Sequence, residues 1–436
     1  LQSRKNGAPP RSQPGLSRRH ALQAVAGAAA YGVTRSPVFG QPTAEPSIAR
    51  QSDVAFASSH DRLRGINIQQ PFAHWQTGEP WNTRRGWDSW MPKQRLERIA
   101  ASGVDFLRIC VDPAPLLAVE TKADLTSGIE TVLRSVDAVL QAGMKVLFDV
   151  HVSTEHTDWN IQTLTDGIAG PHFLRLVEVE TSIAAALQAR YNPQSVALEL
   201  FNEPPPPSDF SSKTAWAEQL KHLYDAVRSA APKHTLILSG MNYASIDGLL
   251  SIDVSAFDAN TIFVFHYYEP FIFTLQGVNV SYNKYVHRLQ FPPQPDDRVR
   301  VIERATGLAK SDEETSVLRR TYLVEQLSNN AGQYFDVPQG IEFIRRRVGE
   351  VAAWSDKNKV DRKRVMCGEF GCFGDFAGRT GAALSDRATW LQSVRQAVEE
   401  NGFGWCVHDL DESFRITSDN GAFVPELLTA LGLRNP

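Results

Sequence analysis

The chain has 436 residues, 42% of them hydrophobic and 22% charged, with 45 Lys and Arg against 49 Asp and Glu for a formal charge of -4. That balance argues against nucleic acid or an anionic membrane surface as the main partner, since both favour basic faces. No apolar run approaches the roughly 20 residues needed to span a bilayer, and four cysteines are too few to staple a chain of this size.

In chain order, the first landmark is Arg18-Arg19, followed by the Ala/Gly-rich run 24–30. The pattern reads as a twin-arginine-type export signal over 1–40, which places the mature protein in the periplasm or outside the cell. A polar, Pro/Ala/Ser-rich linker follows over 41–59. From residue 60 to 436, short apolar runs alternate with amphipathic stretches, as in a parallel α/β fold. The runs are 63–68, 104–111, 145–150, 196–201, 235–239, 261–265, 364–368 and 402–407. Helix-compatible stretches lie between them at 92–101, 128–142, 171–189, 212–230, 341–355 and 385–399, with only a short one at 244–250. Eight strands with intervening helices are the count of a closed (β/α)8 TIM barrel. The longest interval, 271–338, separates the sixth and seventh strands and carries the turn cluster Phe291-Pro-Pro-Gln-Pro295. It lacks the apolar runs of a second core, so it reads as a lid or cleft wall on the C-terminal face. Cys110, Cys367, Cys372 and Cys406 have no zinc spacing and read as free thiols, three of them within core strands.

Polar residues gather where these runs end. Arg108 interrupts Phe106-Leu-Arg-Ile-Cys110, and His151 closes the third run. Asn202-Glu203-Pro204 closes the fourth, His266-Tyr-Tyr268 the sixth, Gly368-Glu369-Phe-Gly371 the seventh, and Trp405 and His408 the eighth. In a barrel these ends converge on one pocket. Burying an acid is costly, so a glutamate at a buried strand tip has a partner or a task. Two glutamates on separate strand ends are what hydrolysis of a glycosidic bond requires.

The ordered set Leu63-Arg-Gly-Ile-Asn67, Arg108, Asp149-Val-His151, Asn202-Glu203-Pro204, His266-Tyr-Tyr268 and Gly368-Glu369-Phe-Gly371 resembles glycoside hydrolase family 5, the cellulase family. The resemblance runs from about residue 62 to the C-terminus. It implies a retaining, endo-acting β-glucanase without cofactor or metal, with Glu203 as acid/base and Glu369 as nucleophile. Arg108 and Tyr268 would hold the charge of Glu369. Asn202 would bond the sugar 2-hydroxyl, and His151 and His266 would contact sugar hydroxyls or steady the carboxylates. Members of that family often place a Trp beneath the reacting sugar at the end of the eighth strand. Here His408 stands at that place, with Trp405 three residues before it.

Trp75, Trp81, Trp87, Trp90 and Trp159 follow the first and third strands. They suit either stacking on sugar faces or local anchoring of loops. His151-Val-Ser-Thr-Glu155-His156 fails the spacing of an inverted zinc-protease motif. The expected partner is a β-linked oligo- or polysaccharide, met by a monomer. The same mechanism also fits β-mannan, xyloglucan, β-1,3-glucan or transglycosylation, and a non-catalytic carbohydrate-binding barrel is the alternative outside enzymes. Retention of both glutamates counts against the last.

Overall fold

Eight parallel strands close into a barrel in sequence order in the computed structural model, which describes residues 54–57, 62–74, 87–152, 156–206, 215–336 and 339–436. The strands are β1 Arg64–Ile68, β2 Phe106–Val111, β3 Lys145–Val150, β4 Val196–Glu199, β5 Thr235–Ser239, β6 Thr261–Tyr267, β7 Val365–Phe370 and β8 Gly404–Val407. Gly65 of β1 pairs with Cys406 of β8, which completes the ring. The main helices are α1 Lys93–Ala101, α2 Lys122–Gln141, α3 Pro171–Arg190, α4 Ala215–Ala230, α5 Ile246–Leu250, α6 Arg298–Ser311, α7 Val317–Asp336, α8 Ile341–Lys357, α9 Leu384–Glu400 and α10 Pro425–Ala430.

Parallel strands covered on both faces read as unbroken apolar runs, which is why they stand out in the sequence. Helix ends are less visible. Helix α2 begins at Lys122, well before the expected 128, because its first turn is polar. Thr121 starts it, its hydroxyl accepting the Asp124 N–H at 3.1 Å. After β5 the chain makes only short helices, and Gly240 lies so close to Gly248 that a Cβ would sit 2.2 Å from its backbone.

Side chains alternate across the barrel wall. Inside, at the N-terminal end, Phe106, Leu147, Ala197, Ile237, Ile262, Met366 and Cys406 form a closed apolar layer. Val54, Phe56 and Ala57 belong to the same cluster and plug the barrel from below. Phe56 meets Phe106 edge-on at 5.8 Å, and its N–H donates to Thr235 Oγ1 at 3.0 Å. These residues therefore correct the expected linker, 41–59. Burial of each large apolar side chain there stabilises by about 1.5–3 kcal/mol, so the barrel's own structure starts no later than Val54. The rest of that linker and the export signal over 1–40 lie outside the described residues, as do Trp75 and Trp81.

Between β6 and β7, α6 and α7 pack on each other through Ala305, Ala309, Leu323 and Leu327, which are continuous with the main core. Asp312 between them accepts from Lys284 Nζ at 2.5 Å and Tyr285 Oη at 2.6 Å, tying the pair to the loop after β6. No described helix is long and apolar enough to cross a membrane. All four cysteines are buried free thiols.

Candidate active site

Above the apolar layer the barrel interior turns ionic, and Arg108 is its centre. It follows Phe106 by two residues on β2, so the pleat turns it inward, where it is fully buried. A guanidinium has five N–H donors, and each has a partner. Nε and Nη2 donate to the Glu199 carboxylate at 2.7 and 3.0 Å. Nη1 donates to Asn67 Oδ1 at 2.7 Å and Glu369 Oε1 at 2.8 Å, and Nη2 also to Asn202 Oδ1 at 2.7 Å. Asp149 stands 3.1 Å from Nη2 and 2.8 Å from His151 Nδ1. Burial pushes Glu199 up to about 7 despite its Arg108 contacts.

Glu369 reaches the interior by an irregularity. Phe265 pairs with Cys367 but His266 with Glu369, while Cys367 pairs with Trp405 and Phe370 with Val407. Strand β7 thus carries one extra residue against both neighbours, a bulge that re-aims the side chains beyond it. Simple alternation from Met366 would turn Glu369 outward. Gly368 is needed there, because a Cβ would lie 2.2 Å from Val264 Cγ2 and 3.2 Å from His266 Nε2. The Tyr268 hydroxyl donates to Glu369 Oε2 at 2.8 Å.

Glu203 lies past the end of β4. Its approach is fixed by the Asn202 N–H, which donates to the Val150 carbonyl at 3.1 Å. Beyond it, the carbonyls of Pro204 and Pro205 accept from Tyr243 and Asn242 at 2.8 and 3.1 Å. Glu203 Oε1 and His266 Nδ1 share a hydrogen bond of 2.7 Å. One ligating atom each from Glu203, His266 and Glu369 lie within 4.8 Å of one another.

The two carboxyls differ in protonation. Burial and then the charge of Glu369 push Glu203 well up. Burial acts on Glu369 in the same sense, but the groups facing it hold it below the usual carboxylate range: His266 and His408 when they are protonated, and the permanent cation Arg108 at every pH. Burial holds His266 down at about 3 and His408 at about 4. At neutral pH both imidazoles are uncharged, and Arg108 is the permanent cation beside Glu369. One site therefore offers a protonated and an ionised carboxyl, side by side.

A sequence model of the cellulase family, glycosyl hydrolase family 5, matches residues 69–413. The chain belongs to that family. Among curated relatives, endoglucanase 3 of Fibrobacter succinogenes is 24% identical over 269 residues, 62% of this chain but only 37% of the relative. The chain therefore spans little more than a third of that protein. Endoglucanase C of Acetivibrio thermocellus is 22% identical over 349 residues, covering 79% of this chain and 89% of the relative. Cellulose synthase subunit Z of Clostridioides difficile superposes with a TM-score of 0.59 at 21% identity, over 85% of this chain and 99% of that one.

In this family 5 barrel the structure brings together Arg108, His151, Asn202, Glu203, His266, Tyr268, Glu369 and His408. His408 Nδ1 stands 3.5 Å from Glu369 Oε2, with its ring edge-on to Tyr268 and Phe414 at 6.2 and 5.4 Å. Burial works against a charge on His151, but Asp149 overrides it and raises the imidazole. Trp405 corrects the expectation: it is fully buried on the outer side of the wall. Its Nε1–H donates to Glu399 Oε1 at 3.0 Å, and its ring meets Phe370 at 5.8 Å. Cys406 points inward, so alternation sends both Trp405 and Val407 outward. Trp87 stacks on Phe72 at 6.2 Å, Arg95 covers Trp90, and Trp159 meets His172 at 5.2 Å. These three act as local anchors. Sequence reasoning missed Glu199, although its signal was present: an acid within an apolar run of the kind that holds Arg108. It also missed the 2.6 Å contact between His156 Nε2 and Asp112, which joins the loops after β2 and β3.

Proposed function

We propose that the chain cleaves internal β-1,4 bonds of a glucan with retention at the anomeric carbon. The observation that carries this reading is the close approach of Glu203 and Glu369, with oxygens within 4.8 Å and opposite protonation. Retaining glycosidases hold their carboxyls about 5–5.5 Å apart, and inverting ones about 6.5–9.5 Å, leaving room for a water. The endoglucanase relatives support the glucan and the internal mode of attack.

In the first step Glu369 attacks the anomeric carbon and forms an ester as the glycosidic C–O bond breaks. Glu203 gives its proton to the leaving oxygen. Esterification removes the charge of Glu369, so Glu203 loses part of what keeps it protonated and can act as base. Water then attacks the ester, passing a proton to Glu203 and releasing Glu369. Arg108 and Tyr268 orient the nucleophile. Asn202 commits its oxygen to Arg108, which leaves its amide N–H groups to meet the sugar 2-hydroxyl. His266 positions Glu203, while His151 and His408 face sugar hydroxyls.

The test is to follow cleavage of a soluble cello-oligosaccharide by proton NMR and to add azide to a Glu369→Gly variant. Release of the β-anomer first, and an α-glycosyl azide from the variant, are expected. Initial release of the α-anomer would overturn the double displacement.

A further inference from the structure

We infer that Arg347, on the outer helix α8, is a positioning residue for the proposed reaction: by gripping Glu269 from outside the barrel it fixes the backbone from which Tyr268 reaches Glu369. The placement of Tyr268 stands on geometry alone, whereas its effect on turnover rests on the function proposed above.

Strand β6 alternates along its whole length. Ile262 and Val264 belong to the apolar layer inside the barrel, and Phe263, Phe265 and Tyr267 to the core outside it. His266 and Tyr268 therefore face inward and Glu269 outward. The register with β7 ends where Tyr267 meets Phe370, so the next two residues need other anchors. Each of their carbonyls accepts from a side chain. Thr274, in the short helix Phe271–Thr274, donates its hydroxyl to the Tyr268 carbonyl at 2.5 Å, and the Trp390 Nε1–H of α9 donates to the Glu269 carbonyl at 3.2 Å. The third anchor is the Glu269 carboxylate, whose Oε2 accepts from Arg347 Nε at 2.9 Å and Oε1 from Arg347 Nη2 at 3.0 Å.

Two parallel N–H···O bonds fix both the distance and the plane of the carboxylate, which a single contact would leave free to turn. The pair is largely buried, with side-chain exposures of 12% for Arg347 and 22% for Glu269, so salt screens it less than a surface pair. Arg347 has two other acidic neighbours, Glu350 in its own helix and Asp247 of α5, but Asp247 is largely exposed and 3.4 Å away. Glu269 and Tyr268 are consecutive residues on opposite faces of one extended backbone. A tilt released at the outer carboxylate is therefore passed to the inner phenol, and the length of that side chain enlarges it at the hydroxyl. The hydroxyl donates to Glu369 Oε2 at 2.8 Å, and a misplacement of about 1 Å at a reacting group can cost about 100-fold in rate.

The test is a double-mutant cycle on a soluble β-glucan, with Arg347→Met and Tyr268→Phe made singly and together. Arg347→Met should lower kcat about tenfold at unchanged KM, and should cost nothing further in the Tyr268→Phe background, where the group it acts through is gone. Arg347→Lys keeps the charge without the fork; it should show the same pattern with a smaller fall, and it carries the cycle if Arg347→Met does not fold. Asp247→Asn removes only the distant, exposed contact and should leave kcat at the wild-type value. Independently of turnover, carbon NMR of protein labelled at the tyrosine carbon bearing the hydroxyl should show the Tyr268 signal, assigned by its loss in Tyr268→Phe, shifted in both Arg347 variants. Equal falls in kcat with and without the Tyr268 hydroxyl, a matching fall in Asp247→Asn, or an unmoved Tyr268 signal in folded Arg347 variants overturns the positioning role. If the wild type turns over no β-glucan, the proposed function fails, and the NMR arm still decides whether Arg347 places Tyr268.

Discussion

Removing the charge of Glu369 should loosen the proton on Glu203 by an amount the geometry sets. The two carboxylates have oxygens within 4.8 Å. At an effective dielectric constant of about 20, two unit charges at that separation repel by about 3.5 kcal/mol. With about 1.4 kcal/mol for each factor of ten, the repulsion corresponds to a change of about 300-fold in proton affinity. A negative neighbour favours the neutral acid, so its loss must weaken proton binding at Glu203. Glu369→Gln keeps the size of the side chain and removes the charge, imitating the proposed ester in this one respect. The assay is titration of the Glu203 carboxyl by carbon NMR in selectively labelled protein, wild type against Glu369→Gln. Glu203 titrating in the same range in both proteins would refute the electrostatic switch between acid and base.

Tyr268→Phe removes a hydroxyl that donates to Glu369 at 2.8 Å. A hydrogen bond to a charged group is worth about 1.5–3 kcal/mol, so kcat/KM should fall about 10- to 150-fold while chemical denaturation shows a folded protein. Arg108→Met leaves Glu199, Asp149 and Glu369 buried without their cation, and breaking such pairs costs about 3–5 kcal/mol. Urea unfolding should show a loss of that size along with lost activity. Glu180 of α3 is fully buried with neither carboxylate oxygen partnered, and burial raises it well above 4.5. The folded state holds this proton more tightly than the unfolded chain does. Its contribution to stability is therefore full below the ordinary glutamate range and is lost as pH rises above it. Glu180→Gln should raise Tm at pH 8 and leave it nearly unchanged at pH 4; an equal effect at both values would count against an ionisation penalty.

The barrel was legible because each parallel strand is an apolar run, and so were the polar strand ends that meet in the site. What escaped reading was whatever depends on direction or on contact across the fold. Val54, Phe56 and Ala57 sit in a stretch whose average composition is that of a linker, and only the open end of a barrel gives these three apolar groups, the Phe56 ring among them, a place to go. The polar first turn of α2 carries no apolar periodicity to mark it. Trp405 was read by its distance from His408, whereas the parity of β8, with Cys406 inward, decides which way it faces. Glu199 needed Arg108 in view, since neither charge is tolerable in the interior alone.

The extra residue in β7 ties the aim of Glu369 to packing on the far side of the wall. Were β7 to slip into plain alternation, Glu369 would face the helices and Phe370 the polar mouth. Phe370, set among Trp390 and Trp405, resists that exchange from outside, as the Arg108 bond to Glu369 does from within. The register is a lock with a key on each side. Whittling down Phe370 or Trp390, both fully buried in the layer outside the strands, would unsettle Glu369 from behind, so the aim of this carboxyl can be lost through the hydrophobic layer with every residue of the pocket intact.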